Sequence, residues 1–295
     1  MAVLSDFRLF QASMVLAYAT ALIGLNILTG FSGQVSLGHG AFFALGAYTT
    51  AILMEHFGVP YWIAIPVGGV TGFAAGYAFG RPALRLTGIY LGLATFALAV
   101  ATPQILKYHA IEEWTGGVQG IFLTKPSAPF GLPLSDDQWF YLYTLFVAGI
   151  VYWVARWLLE SGTGRAFRAI RDNPLAAEAI GIDTRHHKFM AFGISAAFTA
   201  IGGGLAAVAV QFVAPDAYDL FLSVSLLVGA VVGGVGTLSG AALGALFIVY
   251  VPTLADSISK SAPWAVYGVA LIVLVYLMPD GIAGSMTKAI RMRIK

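Results

Sequence analysis

Along this chain, long apolar runs alternate with short polar, glycine-rich intervals. A helix that crosses a bilayer needs about 20 predominantly apolar residues. Residues 7–28, 61–79, 88–106, 139–159 and 189–213 each form a run that can span. Residues 33–54 are also long enough, but their first half, Gly33 to Gly40, is polar and glycine-rich. That stretch predicts either a full crossing or a broken, re-entrant helix, because irregular backbone at membrane depth needs protein or a water-filled path beside it. The later runs 220–235, 241–255 and 265–278 are short, and Gly236-Thr237-Leu238-Ser239-Gly240 separates the first two. The pattern predicts an all-α polytopic membrane protein, a single transmembrane domain over 1–295 with about eight or nine crossings, some short or broken.

The polar intervals supply the orientation. Residues 107–138 set Glu112, Glu113, Asp136 and Asp137 against Lys107 and Lys125. Residues 161–188 carry Arg165, Arg168, Arg171 and Arg185. Within them Asn173-Pro174 is a turn signal, Pro174 can open a helix and Gly181 can end it. Positive charge accumulates on cytoplasmic loops. Arg81 with Arg85, the 161–188 interval and the tail bearing Lys288, Arg291, Arg293 and Lys295 are therefore expected inside, and 107–138 outside. The C-terminus is then cytoplasmic. The N-terminus lies outside if 33–54 crosses and inside if that stretch is re-entrant. The first apolar run lacks a basic leader region and a cleavage site, so it is expected to be retained as a span.

Composition narrows the class. Hydrophobic residues make up 59% of the chain and charged residues 10%, against roughly 25% charged in soluble domains. The 35 glycines predict close helix packing in lipid. A net charge of +2 gives no basic surface for nucleic acid. The absence of cysteine excludes disulfides and thiolate metal sites. The chain has no GxxxxGK[ST] loop for ATP and neither HExxH nor GxSxG, so no catalytic or metal-binding residue is expected.

Ionisable groups are nearly absent from the interiors of the spans, which argues against proton- or sodium-coupled carriers and ion channels. The polar positions left for a path are Asn26, Gln34, Ser36, His39, Thr237 and Ser239, a set suited to a neutral or zwitterionic solute. For His39 the alternative reading is a helix-packing hydrogen bond, and it is the stronger one. Energy for pumping would have to arrive from outside the chain, and the 161–188 interval offers a place. Two glycine-rich breaks echo one another: Ser36-Leu37-Gly38 before Ala44-Leu45-Gly46-Ala47, and Thr237 to Gly240 before Ala242-Leu243-Gly244-Ala245. Paired interrupted helices point to a transporter's central path, and the two halves are expected to form an inverted internal repeat.

Three long segments carry a family resemblance. Residues 28–53 (LTGFSGQVSLGHGAFFALGAYTTAIL) resemble the N-terminal signature of branched-chain amino acid ABC transporter permeases of the LivM type. Residues 165–183 (RAFRAIRDNPLAAEAIGID) resemble that family's cytoplasmic coupling segment, and 222–245 its late glycine-rich signature. Residues 80–98 and 115–121 also fit. The resemblance implies an importer subunit in a bacterial or archaeal plasma membrane, with no cofactor of its own. Its implied partners are a second permease chain, a different one, two ATP-binding subunits and an external solute-binding protein that meets acids such as Glu112, Glu113, Asp136 and Asp137. It assigns coupling to Arg168, Arg171, Asn173, Pro174, Glu178 and Gly181. Glu178-Ala179-Ile180-Gly181 departs from the family's Glu-Ala-Ala…Gly pattern at Ile180. The expected solute is a branched-chain or other hydrophobic amino acid, with urea or a short amide as the rival. An ATP-independent facilitator or channel is the competing class.

Overall fold

The computed structural model describes residues 5–83, 88–128, 133–258, 263–278 and 280–286. Arg85 and the tail cations Lys288, Arg291, Arg293 and Lys295 lie outside the described residues.

Each apolar run becomes a helix. In chain order these are α1 (Asp6–Asn26), which continues as a π-helical turn over Ile27–Phe31, then α2 (His39–Phe57), α3 (Tyr61–Ala83) and α4 (Ile89–Leu106). A short α5 (Glu112–Thr115) lies in the 107–138 connection, and α6 (Asp136–Glu160) follows. The arginine interval folds as α7 (Gly162–Asp172) and α8 (Pro174–Ala179). The chain ends with α9 (Thr184–Val210), α10 (Leu220–Gly233), α11 (Leu238–Ile258) and α12 (Pro263–Leu277). Among the described residues six helices are long and apolar enough to cross a membrane, while α10, at 14 residues, is a shorter apolar helix. This is an all-α, multi-pass membrane protein.

The centre of the molecule is α9, which packs against α1, α2 and α3. Its apolar window is 78% buried, against 28% for α4 and for α6 at the periphery. Glycines let these helices touch backbone to backbone. A Cβ on Gly46 of α2 would lie 2.0 Å from the Ala200 carbonyl oxygen, and one on Gly203 of α9 would lie 1.9 Å from that of Phe43. On α1, a Cβ at Gly24 would lie 2.4 Å from the Ser195 carbonyl oxygen. Along α3, Gly72 and Gly76 face Ala200 and Ala196. Lipid tails are as apolar as leucine, so dispersion contacts at this close range hold such helices together.

The contacts also fix direction. Gly24 meets Ser195 whereas Gly202 meets Ala17, so α1 runs antiparallel to α9. His39 bonds Ser195 whereas Gly46 meets Ala200, so α2 runs parallel to α9. The start of α2 lies near the arginine helices, since Gly33 abuts Arg171. Its other end reaches the 107–138 connection, where His56 Nε2 is 3.2 Å from the Trp114 carbonyl oxygen. At 19 residues, α2 is about 28 Å long, close to the roughly 30 Å of a hydrocarbon core. The stretch 33–54 thus runs from one face to the other, and Asp6 sits on the face opposite the arginines.

That opposite face is tied together by several contacts. Ile121–Phe122 (β1) pairs antiparallel with Phe212–Val213 (β2). Lys107 pairs with Asp216 at 2.5 Å, and Trp139 Nε1 donates to the Tyr61 hydroxyl at 2.8 Å. Gln138 and Ser135 complete a capping box at the start of α6, which satisfies two otherwise orphaned donors.

Glycine substitutions test the packing. Gly46→Val should overpack the α2–α9 contact, at a cost of about 1–3 kcal/mol or more, and lower the thermal midpoint in detergent size-exclusion assays. Gly92→Ala, where a Cβ meets nothing within 4 Å, should leave the midpoint unchanged or raise it. Equal behaviour of the two variants would refute the close-contact account.

Candidate functional site

The two glycine-rich breaks, far apart in sequence, meet in space. Asn26 closes the junction: its Nδ2 donates to the Thr237 carbonyl at 3.1 Å, and its Oδ1 accepts from the Gly236 amide at 2.8 Å. Gly30 lies so close that its Cβ would stand 2.3 Å from the Gly236 nitrogen. The π-turn at 27–31 widens the end of α1 here, as single π-turns often do at functional positions. Both α2 and α11 leave their breaks in the same direction, antiparallel to α1: along α11, Thr237 meets Asn26 and Gly244 meets Leu22. The two helices that follow the breaks therefore run in the same direction across the molecule.

The first break is held by buried hydroxyls on three helices. His39 is 1% exposed. Its Nε2 lies 2.6 Å from Ser195 Oγ, and its Nδ1 lies 2.9 Å from Ser36 Oγ. The Ser195 hydroxyl donates to the Gly24 carbonyl at 2.7 Å, so its lone pair must accept the Nε2–H. The Ser36 hydroxyl bonds Nδ1 and also accepts from the Gly38 amide. This donor–acceptor count places a proton on His39 Nε2. Thr95 Oγ1 of α4 accepts from the Leu37 amide at 3.0 Å, and Ser223 Oγ of α10 accepts from the Gly40 amide at 3.0 Å.

The path candidates thus separate. Asn26, Ser36 and His39 are buried and bonded inside the protein, and the Thr237 hydroxyl donates to the Gly234 carbonyl. Gln34 and Ser239 line cavities. Ser195, Ser223 and Thr95 went unnoticed in sequence, where each is one small hydroxyl in an apolar helix. A further cavity of about 260 Å³, lined almost wholly by apolar groups that include Phe42, Leu45 and Phe79, lies between α2, α3 and α4.

The arginine interval is a helical hairpin. On α7, Ala166, Phe167 and Ile170 turn inward and are buried. Asn173 caps α8 by accepting from the Ala176 amide at 3.1 Å, and Pro174 takes the first helical position. Gly181 has φ +85°, a left-handed conformation that favours glycine. Glu178 accepts from the Thr184 hydroxyl at 2.5 Å and so fastens α8 to the start of α9. Arg168 donates to the Leu159 carbonyl at 3.0 Å. Arg171 reaches furthest inward: its Nη1 donates to the Gly30 carbonyl at 3.0 Å, while Asp172 accepts from the same guanidinium. Gly33, with φ +72°, leaves room for it, since a Cβ there would lie 2.9 Å from Arg171 Cγ. The outward side of α8 is apolar, with Leu175 78% and Ile180 75% exposed. The sequence marks Ile180 only as a departure from the family pattern and does not mark Leu175 at all.

On the other face, Asp137 pairs with Lys125, and Glu112 faces His109 at 3.2 Å. Among the described residues no group of three or more His, Cys, Asp or Glu could hold a metal.

A multi-pass helical protein with paired breaks in its helices is compatible with a membrane-transport component. The model of the branched-chain amino acid transport system permease component family matches residues 8–278, and the chain belongs to that family. It is 30% identical over 294 residues to the high-affinity branched-chain amino acid transport system permease protein LivM of Escherichia coli K12, covering 92% of this chain and 68% of that one. A probable branched-chain amino acid transport permease protein LivM from Methanocaldococcus jannaschii is 28% identical over 75% of this chain and 67% of its own length. The autoinducer 2 import system permease protein LsrC of Salmonella paratyphi B is 30% identical over 57% of this chain and 49% of its own length. No solved structure matches the chain.

Replacing Asn26 tests the junction. Asn26→Leu leaves the Gly236 amide and Thr237 carbonyl without their partner, at about 1–3 kcal/mol per unsatisfied group. Hydrogen–deuterium exchange should accelerate across residues 234–238. Unchanged exchange there would mean that Asn26 does not hold the breaks together.

Proposed function

We propose that this permease is one of two membrane subunits of an ATP-driven importer for branched-chain or similar hydrophobic amino acids. The α7–α8 hairpin receives ATPase motion and Arg171 passes it to the breaks. The observation that carries this reading is the Arg171–Gly30 hydrogen bond, which joins the hairpin to the junction of both breaks. Positive charge places the arginine face in the cytoplasm; the 107–138 connection and the N-terminus then lie outside, in a bacterial or archaeal plasma membrane. The chain carries no loop of its own for ATP, so the nucleotide belongs to partner subunits.

Docking on those subunits falls to the exposed apolar pair Leu175 and Ile180, at the level of Asn173, Pro174 and Gly181. Arg168, Arg171 and Glu178 bond within this chain and act as internal fasteners of the coupling element. The interior polar residues are largely consumed by helix–helix bonds, which favours a path along the boundary with the second permease subunit. Gln34 and Ser239 are the candidates of this chain that remain beside open space. The names of the LivM relatives support an amino acid substrate, and the LsrC name shows that similar chains serve another solute.

The test is uptake into proteoliposomes holding this chain with its partner permease, ATPases and binding protein. Labelled leucine should accumulate only with ATP. Uptake of urea instead would replace the substrate, and uptake by this chain alone would overturn the coupling reading. Arg171→Met should keep the ATPases bound but cut transport about tenfold or more, consistent with the roughly 1.5–3 kcal/mol of a hydrogen bond to a charged group. Leu175→Asp combined with Ile180→Asp should release the ATPases on purification. ATPase loss from Arg171→Met would make that residue a docking contact and end its role as a relay.

A further inference from the structure

A second feature adjoins the same junction. A cavity of about 230 Å³ lies between the first break, the start of α4, the arginine hairpin and the start of α9. It is smaller than the roughly 300–1,000 Å³ of pockets for drug-sized ligands, so it suits one small solute. Gln34 lines it and is 6% exposed, yet its amide oxygen has no hydrogen-bond partner among the described residues. An unsatisfied buried acceptor of this kind costs about 1–3 kcal/mol. Lys188 lines the same cavity, and its ammonium has no ion-pair or hydrogen-bond partner among the described residues. Arg171 adds a second cation. Leu91 and Ile170, 4% and 1% exposed, give the cavity an apolar wall.

We infer that this cavity binds a free aliphatic α-amino acid from the arginine side and that occupancy holds the importer back. The unpaired ammonium of Lys188 calls for an anion, which is the ligand carboxylate. The unpaired Gln34 oxygen calls for a donor, which is the ligand ammonium. The Leu91–Ile170 wall accepts the aliphatic side chain. A ligand so placed bridges the break and the arginine hairpin. It stabilises the conformation in which Arg171 rests on Gly30, because a ligand shifts a protein toward the state that it binds better. The imported product would therefore limit its own uptake. This inference rests on the amino acid importer reading above.

The experiment uses the assembled importer in nanodiscs, with ATP hydrolysis stimulated by binding protein already saturated with leucine. Further free leucine should lower the hydrolysis rate at least twofold. Leucinamide, which lacks the carboxylate, and 4-methylpentanoate, which lacks the amine, should not. Lys188→Met should keep the stimulated rate and lose the inhibition, and Lys188→Arg should retain it. If leucine-loaded binding protein fails to stimulate hydrolysis at all, the substrate assignment fails. If stimulation occurs but excess leucine changes nothing, the cavity proposal alone is overturned. Inhibition by 4-methylpentanoate equal to that by leucine would also overturn it, by revealing a plain anion site. The soluble-analogue arms use the unaltered protein and so stand even if the Lys188 variants fail to assemble.

Discussion

The structure depends on how closely α9 approaches its neighbours. With Cβ positions only 1.9–2.4 Å from facing carbonyl oxygens at Gly203, Gly46 and Gly24, no side chain of any size fits there. Water does not drive helices together inside a bilayer, so the energy must come from dispersion at short range and from hydrogen bonds across helices. Both need the backbones to touch. The small residues of α1, α2, α3 and α9 provide that contact. They make a rigid centre, around which α4, α6 and α12 expose broad apolar faces, with Leu93, Trp153 and Ile272 among the exposed residues.

Close approach also brings buried hydroxyls within bonding distance of backbone they could not otherwise reach. Ser195 can donate to the Gly24 carbonyl only because α1 and α9 touch at that glycine. Once Ser195 donates there, His39 Nε2 must donate to Ser195. One packing contact thus orients the His39–Ser195 hydrogen bond of the break. Non-helical backbone is stable in the membrane when each polar group has a protein partner. The segment 36–40 meets that condition through Ser36, Thr95 and Ser223.

Local signals made part of this legible in the sequence. The α8 boundaries follow from Asn173, Pro174 and Gly181, because capping and left-handed termination depend on residue type at a fixed offset. Glycine-rich breaks are visible for the same reason, and so is the helical character of every apolar run. The partners of the breaks were not visible. Asn26 meets Gly236 across 210 positions, and Ser195 meets His39 across 156, separations at which a lone serine or asparagine carries no period or spacing. The same blindness leaves a path residue and a packing residue alike in sequence: in the structure Asn26 and His39 each bond across helices. The apolar surface of Leu175 and Ile180 was hidden for the opposite reason, since apolar residues beside arginines read as ordinary helix formers until their exposure is seen.

Under the coupling role proposed above, the arrangement of the arginine hairpin gives a short surface helix a route to distant breaks. Phe167 and Ile170 anchor α7 in the protein at 0% and 1% exposure, so the hairpin cannot swing as a free loop. Glu178 fastens α8 to Thr184 in the first turn of α9, while Arg171 fastens α7 to the end of α1. A push on α8 is therefore divided between two outlets. One is the tilt of α9, which carries α1, α2 and α3 with it because their backbones are in contact. The other is the Gly30–Gly236 junction, where α1 and α11 meet. Packed interfaces of this kind shift between discrete arrangements more readily than they deform continuously. A single hairpin movement would then reposition both breaks together, which is the coordination that alternating access across paired broken helices demands.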